Sequence, residues 1–274
     1  AEPEVIEGFL EALKDEDSEV RRNAAWALRE LGRAEHRVVE RLLEALKDED
    51  SRVRRGAVWV LGELGRAEPE VIEGFLEALK DEDSEVRRNA AWALRELGRA
   101  EHRVVERLLE ALKDEDSRVR RGAVWVLGEL GRAEPEVIEG FLEALKDEDN
   151  EVRRRAVLAL RELGRAEPEV IEGFLEALKD EDNEVRAEAA WALGVLSHDE
   201  PEVIKALLKA LKDKDSGVRL SAAWALGMLG RAEPEVIEGL LEALKDKDSG
   251  VRVKAAWALN KLGLKPWEGF LRFR

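Results

Sequence analysis

The chain has 274 residues, of which 39% are charged and 45% hydrophobic, with a net charge of −16 and no cysteine. The missing cysteines exclude disulfides, thiolate metal sites and a cysteine nucleophile together, and the acidic balance argues against general nucleic-acid binding, which needs a basic footprint. The longest apolar runs, such as Ala24 to Leu28, are far too short to span a membrane, and no signal peptide is visible, so a soluble chain is expected, cytoplasmic if natural.

Thr, Gln and Tyr are also absent. Such a reduced alphabet points to one short unit copied many times. The unit first reads AEPEVIEGFLEALKDEDSEVRRNAAWALRELGR, over residues 1–33. It recurs over 34–66, 67–99, 100–132, 133–165, 166–198, 199–231 and 232–264, and residues 1–66 and 67–132 are identical at every position.

In chain order, each unit predicts two helices. Helix A of the first runs from Pro3 to Leu13, with proline in the first turn, where its missing N–H costs nothing. Val5, Ile6, Phe9, Leu10 and Leu13 form its apolar stripe, and Glu4, Glu7 and Glu11 lie opposite. Lys14 to Asp17 make a polar turn, and Asp17 or Ser18 caps helix B. Val20, Ala24, Ala27, Leu28 and Leu31 give helix B one core stripe, and Gly32 is a natural terminator. Short connections make the pair antiparallel. One such hairpin cannot bury its own apolar faces, but stacking them makes a continuous core. The expected fold is therefore an all-α, right-handed α-solenoid of eight repeats over 1–264, with helix B on the concave side. With helices about 8–10 Å apart, it would be roughly 70–80 Å long. Residues 265–274 read as a partial helix that caps repeat eight, with Gly269-Phe270-Leu271 aligned on Gly239-Leu240-Leu241.

The run ALKDED-x-x-VR-x-x-AA-x-AL-x-x-LG, from Ala12 to Gly32 and in every later unit with small changes, resembles HEAT-like repeats of the short phycobilin-lyase type. The resemblance implies a ladder between the aspartate before helix B and the arginine inside it, here Asp17 and Arg21. The unit is also similar to artificial alpha-helicoidal repeat scaffolds, where helix-B surface positions vary and the rest is fixed. Identity over 66 residues favours an engineered or consensus-derived chain; a natural thermophile protein related to phycobilin lyases is the alternative.

No catalytic constellation is expected. His36, His102 and His198 are the only histidines. The first two are copies two repeats apart, too distant to share a metal. Asp15, Glu16 and Asp17 recur in every unit, as a turn device would. An acid–base pair instead needs one distinct environment. Gly32 ends a helix and does not open one, so no phosphate loop is present. No cofactor is expected.

The concave face is the informative part. On a helical wheel Arg22, Trp26 and Arg29 lie opposite the core stripe. Tryptophan recurs there as Trp26, Trp59, Trp92, Trp125, Trp191, Trp224 and Trp257, interrupted only by Leu158. Arg22, Arg55, Arg88, Arg121 and Arg154 precede the ladder in units one to five, and Arg22 is placed to cover Trp26. In units six to eight Ala187, Leu220 and Val253 replace them, joined by Val195 and Met228. Trp and Arg are enriched at binding hot spots, and an exposed apolar run marks an interaction site. The expected partner is a protein or peptide segment, such as an amphipathic helix, in the concave groove. Against this, the tryptophans are equally placed to pack flat across the next repeat. Self-association through the termini is a further expectation, because repeat one has no polar cap.

Overall fold

A computed structural model describes residues 3–30, 36–197 and 200–264. Among them are sixteen helices and no strand, an all-α solenoid. The helices fall into two compact units, Ala1–Arg132 and Ala133–Arg274. The first holds α1 (Pro3–Ala12), α2 (Ser18–Glu30), α3 (His36–Ala45), α4 (Ser51–Leu64), α5 (Pro69–Ala78), α6 (Ser84–Ala100), α7 (His102–Ala111) and α8 (Ser117–Leu130). The second holds α9 (Pro135–Ala144), α10 (Asn150–Leu163), α11 (Pro168–Ala177), α12 (Asn183–Leu196), α13 (Pro201–Ala210), α14 (Ser216–Leu229), α15 (Pro234–Ala243) and α16 (Ser249–Lys261). Odd-numbered helices are helix A of their repeats and even-numbered ones are helix B. The cap expected over 265–274 lies outside the described residues.

The DED turn does three jobs. Its last aspartate caps helix B: Asp83, Asp149, Asp182 and Asp215 each accept two backbone N–H groups through one carboxylate oxygen at 2.8–3.2 Å. Its first aspartate closes the turn, as Asp48 does by accepting the N–H of Asp50 at 2.9 Å. The middle glutamate carbonyl receives an arginine, described below. Most helices B then end at a left-handed glycine, Gly65, Gly131, Gly164 or Gly230, with φ of 63–70°. The first such glycine, Gly32, lies outside the described residues. Gly98 departs from the expectation: α6 runs through it to Ala100. The following helix begins at His102, where every repeat except this one and repeat two has proline, and without proline nothing forces the preceding residue out of helical backbone.

Sequence-identical repeats isolate the effect of neighbours. Val5 and Val71 occupy the same position of repeats one and three, yet Val5 is 44% exposed and Val71 0%. Val20 and Val86 show the same contrast, 37% against 0%. Burial of these positions comes from the preceding repeat and not from the hairpin itself, as expected for a quasi-one-dimensional stack.

Within each unit, successive helices B pack closely while successive helices A scarcely touch through their backbones. Small residues permit this. A Cβ added to Gly194 of α12 would stand 2.6 Å from the Cα of Ala225 on α14, and one on Gly227 would stand 2.9 Å from the Cα of Ala258 on α16.

The ionic ladder differs from the expected one. Arg21 does not pair with Asp17, which caps its own helix through the N–H of Glu19. Arg21 reaches into the next repeat and donates twice to Asp48, at 2.7 and 2.8 Å. Its remaining amino group donates to the carbonyls of Asp15 and Glu16. The reason is geometric: one planar guanidinium can grip the next repeat's carboxylate and its own turn's carbonyls together. The pairs Arg54–Asp81, Arg153–Asp180, Arg186–Asp213 and Arg219–Asp246 repeat it at 2.6–2.9 Å, with every one of these arginines buried.

The ladder carries a pH signature. Arg219 holds the Asp246 carboxyl below its usual value, with burial opposing. The caps add to it: at the start of α8, Arg118 and its backbone N–H pull the capping Asp116 down to about 2. Carboxylates depressed by folding add stability that is fully present above their unfolded value, about 3.9, and lost as pH falls through the folded one. The melting temperature should therefore stay flat from neutral pH to about 5 and drop below about 4. Far-UV circular dichroism melts across pH check this; a midpoint that rises on acidification contradicts it.

Candidate functional site

The residues singled out in the second unit meet on one side of its helix-B layer. Trp191, Trp224 and Trp257 come from α12, α14 and α16. Trp191 and Trp224 stack with ring centroids 3.8 Å apart and planes 8° apart, and Trp257 continues at 6.5 Å with the same tilt. The second and third rings also lean on the glycine of the preceding helix: a Cβ on Gly194 would lie 3.1 Å from the Trp224 ring, and one on Gly227 2.8 Å from the Trp257 ring. Trp191 and Trp224 are half-buried, and Trp257 is 36% exposed. The ring faces thus pack, as the structural reading expects, and the edges stay open.

Around the stack stand the exposed apolar side chains. Val195 is 44% exposed, Met228 37% and Val253 66%. Leu220 is half-buried and lies against the backbone of α16, where a Cβ on Gly250 would meet its Cδ1 at 3.0 Å. A basic rim closes the far end. The Lys254 and Lys261 ammonium groups sit 5.8 and 5.2 Å from the Trp257 ring centroid, and Lys261 also donates to the Met228 sulfur at 3.0 Å. A cation at this range is attracted by the ring, by about 0.5–1 kcal/mol where exposed.

In the first unit Trp26 and Trp59 approach at 4.6 Å with planes tilted by 32°. Trp26 is exposed, and Trp59, Trp92 and Trp125 are half-buried. Arg22 is drawn to Glu19 and does not cover Trp26 as expected. Arg22 pairs with Glu19 and Arg88 with Glu85, each on its own helix. Arg154 pairs with Glu151 at 2.9 Å and also approaches Glu184 at 3.4 Å, and Arg121 donates to the Ser117 carbonyl at 3.3 Å. Arg55 is exposed. A carboxylate within reach on the same helix outcompetes a ring face. Three of the five arginines of the predicted surface, Arg22, Arg88 and Arg154, are therefore paired on their own helices, while the apolar half is assembled.

Sequence reasoning missed Gly194 and Gly227, which seat the rings, and Lys254 and Lys261, which rim them. A signal existed: glycine stands three residues after Trp59, Trp125, Trp191 and Trp224, alternating with Arg29, Arg95 and Arg161, and Gly62 seats the Trp92 ring in the same way at 2.9 Å. In the acidic turns the first and last aspartates are engaged in ladder pairs and caps, and the middle glutamates stand exposed. Among the described residues no group of His, Asp or Glu could hold a metal ion. His36 and His102 are exposed beside Glu40 and Glu106; His198 lies outside the described residues. Recesses of about 720 Å³ between α13 and α15 and about 910 Å³ between α3 and α5 are open furrows between helices A, away from the tryptophans. No helix among the described residues is long and apolar enough to cross a membrane.

A profile of HEAT repeats matches residues 6–95, 72–161, 138–227 and 171–260. No curated protein matches the chain. Among solved structures, an engineered protein is 26% identical, with a TM-score of 0.52, over 97% of this chain and 80% of its own. A chain from the structure in which Kap95p binds RanGDP is 16% identical, with a TM-score of 0.67, over 96% of this chain and 40% of its own. YibA of E. coli is 22% identical, with a TM-score of 0.56, over 94% of this chain and 92% of its own. The last two show the fold alone. With its helix pairs matched by the profile from residue 6 to residue 260, the chain belongs to the HEAT-repeat family.

Proposed function

We propose that this protein is a non-enzymatic repeat scaffold, engineered or consensus-derived, that binds a protein or peptide segment on the helix-B side of its second unit. The observation that carries the reading is the apolar patch of Val195, Met228, Val253 and Trp257, exposed around a tryptophan stack that is itself held in place. Surfaces of this kind mark interaction sites, and a rigid aromatic platform loses little entropy on binding. Close packing of helices B against loose packing of helices A supports helix B as the inner, concave layer. Kap95p, of like fold, binds RanGDP. The engineered structural neighbour and the identity over residues 1–66 and 67–132 support a constructed origin.

The fitting ligand is an amphipathic helix whose apolar face meets the stack, with an acidic residue toward Lys254 and Lys261. Peptides selected from a random displayed library on the intact chain provide the probe. Val195→Glu and Val253→Glu, both at exposed positions, should weaken the selected peptides at least tenfold without lowering the melting temperature. Trp224→Ser is a poor test, because that ring fills the space over Gly194. Peptides that bind both variants as well as the parent would sink this reading.

A further inference from the structure

The exposed apolar patch holds the one sulfur atom of the chain, since the sequence has a single methionine and no cysteine. Met228 belongs to a row that occupies one repeat position along the helix-B layer. Repeats one to five have glutamate there, Glu30 being the first, and repeats six to eight have Val195, Met228 and Lys261. Where the row is acidic it takes part in polar contacts between repeats, as when Arg95 donates to Glu129 at 3.3 Å. In the second unit the row turns apolar, and Met228 stands on the middle helix of the three, next to the lysine.

The sulfur is both open and engaged. Met228 is 37% exposed, and its Sδ accepts a hydrogen bond from the Lys261 ammonium at 3.0 Å. The same ammonium lies 5.2 Å from the Trp257 ring centroid. Both holds are weak, because a thioether is a poor acceptor and an exposed cation–π contact adds little. One oxygen on that sulfur reverses the balance. Hydrogen peroxide oxidises a thioether by two electrons: a sulfur lone pair attacks one peroxide oxygen and the O–O bond breaks. The departing hydroxide takes the remaining peroxide proton and leaves as water. The product, methionine sulfoxide, is polar, and its oxygen is a strong acceptor with a lysine already in reach.

We infer that Met228 is an oxidation site that switches the patch off, its sulfoxide gripping Lys261 and setting a polar group, as glutamate does in repeats one to five, amid the apolar surface. The inference rests on the docking reading above and adds its regulation by peroxide. Reduction of the sulfoxide by a methionine sulfoxide reductase returns the thioether, so the switch is reversible.

Graded hydrogen peroxide treatment of the intact chain tests this, with a library-selected peptide as the probe. Mass spectrometry should find one added oxygen, carried by Met228. The oxidised parent should bind the peptide about tenfold more weakly, and Met228→Gln should be as weak without oxidant. Met228→Leu should bind like the parent and ignore peroxide, which also controls for oxidation of the indoles. Bound peptide should in turn slow the oxidation, because the coupling is reciprocal. In the ligand-free chain, oxidation should shift the Trp257 indole signal of the parent and leave that of Met228→Leu unmoved. Peptides weakened by Val253→Glu that bind the sulfoxide as well as the parent overturn this inference alone. Peptides indifferent to both changes overturn the docking reading beneath it. A Met228 that survives a dose consuming free N-acetylmethionine also overturns the inference.

Discussion

Replacing Arg186 by Ala should lower the stability of the chain by about 3 kcal/mol, among the largest single-residue effects expected here. The guanidinium makes two hydrogen bonds to Asp213 of the next repeat, both 2.9 Å, and two to the carbonyls of Asp180 and Glu181 in its own turn. Its removal leaves Asp213 with only the N–H of Asp215 and strands two turn carbonyls. Breaking one side of a buried pair costs about 3–5 kcal/mol, and the lower end applies because the Asp213 side chain keeps 17% exposure. Arg186→Lys should recover only part of the loss, since an ammonium cannot present the same planar fork. Chemical denaturation of the three proteins measures the differences. An Arg186→Ala chain as stable as the parent would mean that the ladder is ornamental.

The second large effect comes from a methyl group. Gly194→Ala should destabilise by about 1–3 kcal/mol although alanine is the better helix former, because overpacking outweighs propensity. The added Cβ would stand 2.6 Å from the Cα and 2.7 Å from the Cβ of Ala225, so the backbones of α12 and α14 must separate. Separation also loosens the 3.8 Å stack of Trp191 on Trp224. Gly8→Ala in α1 is the control. With nothing within 4 Å, it should stabilise by about 0.5–1 kcal/mol through propensity alone. Opposite signs for one substitution at two helical glycines is the expected result. The same sign at both would contradict the close packing of the helix-B layer.

Much of this was legible in the sequence because a repeat states its own rules many times over. The period, the proline at the start of helix A, the aspartate cap and the terminal glycine each have a local physical cause, and the helices follow. What was not legible depends on the neighbouring repeat. Arg21 and Asp17 lie one turn apart in sequence and look like partners, yet the arginine is satisfied by Asp48, 27 residues away. Val5 and Val71 are the same residue in the same context, and only stacking distinguishes them. Gly98 reads as a terminator, but without a following proline the helix continues. The candidate site divides in the same way. Its apolar members were visible from wheel position and from the loss of arginine after Arg154. The glycine seats were not, because the position alternates between arginine and glycine and the ring that each glycine seats belongs to the next repeat. The stacking of three indoles is a property of three helices at once.

The assembled picture has a mechanical logic. Glycine and alanine bring helices B together, the rings fill the resulting floor, and the ladder pins the turns where helix A meets helix B. Mutations in the floor or the ladder should act on stability, and mutations at Val195 or Val253 on binding. The two sets should be separable, since additivity holds for sites without shared partners.

The most direct test of the central claim is the indole N–H spectrum of the intact chain titrated with a library-selected peptide. The account predicts shifts concentrated on Trp257 and Trp224, accompanied by Val195, Met228 and Val253 methyl signals, while Trp26, Trp59 and Trp92 stay unmoved. Shifts centred on the first unit, or on helix-A residues with the stack silent, would contradict it.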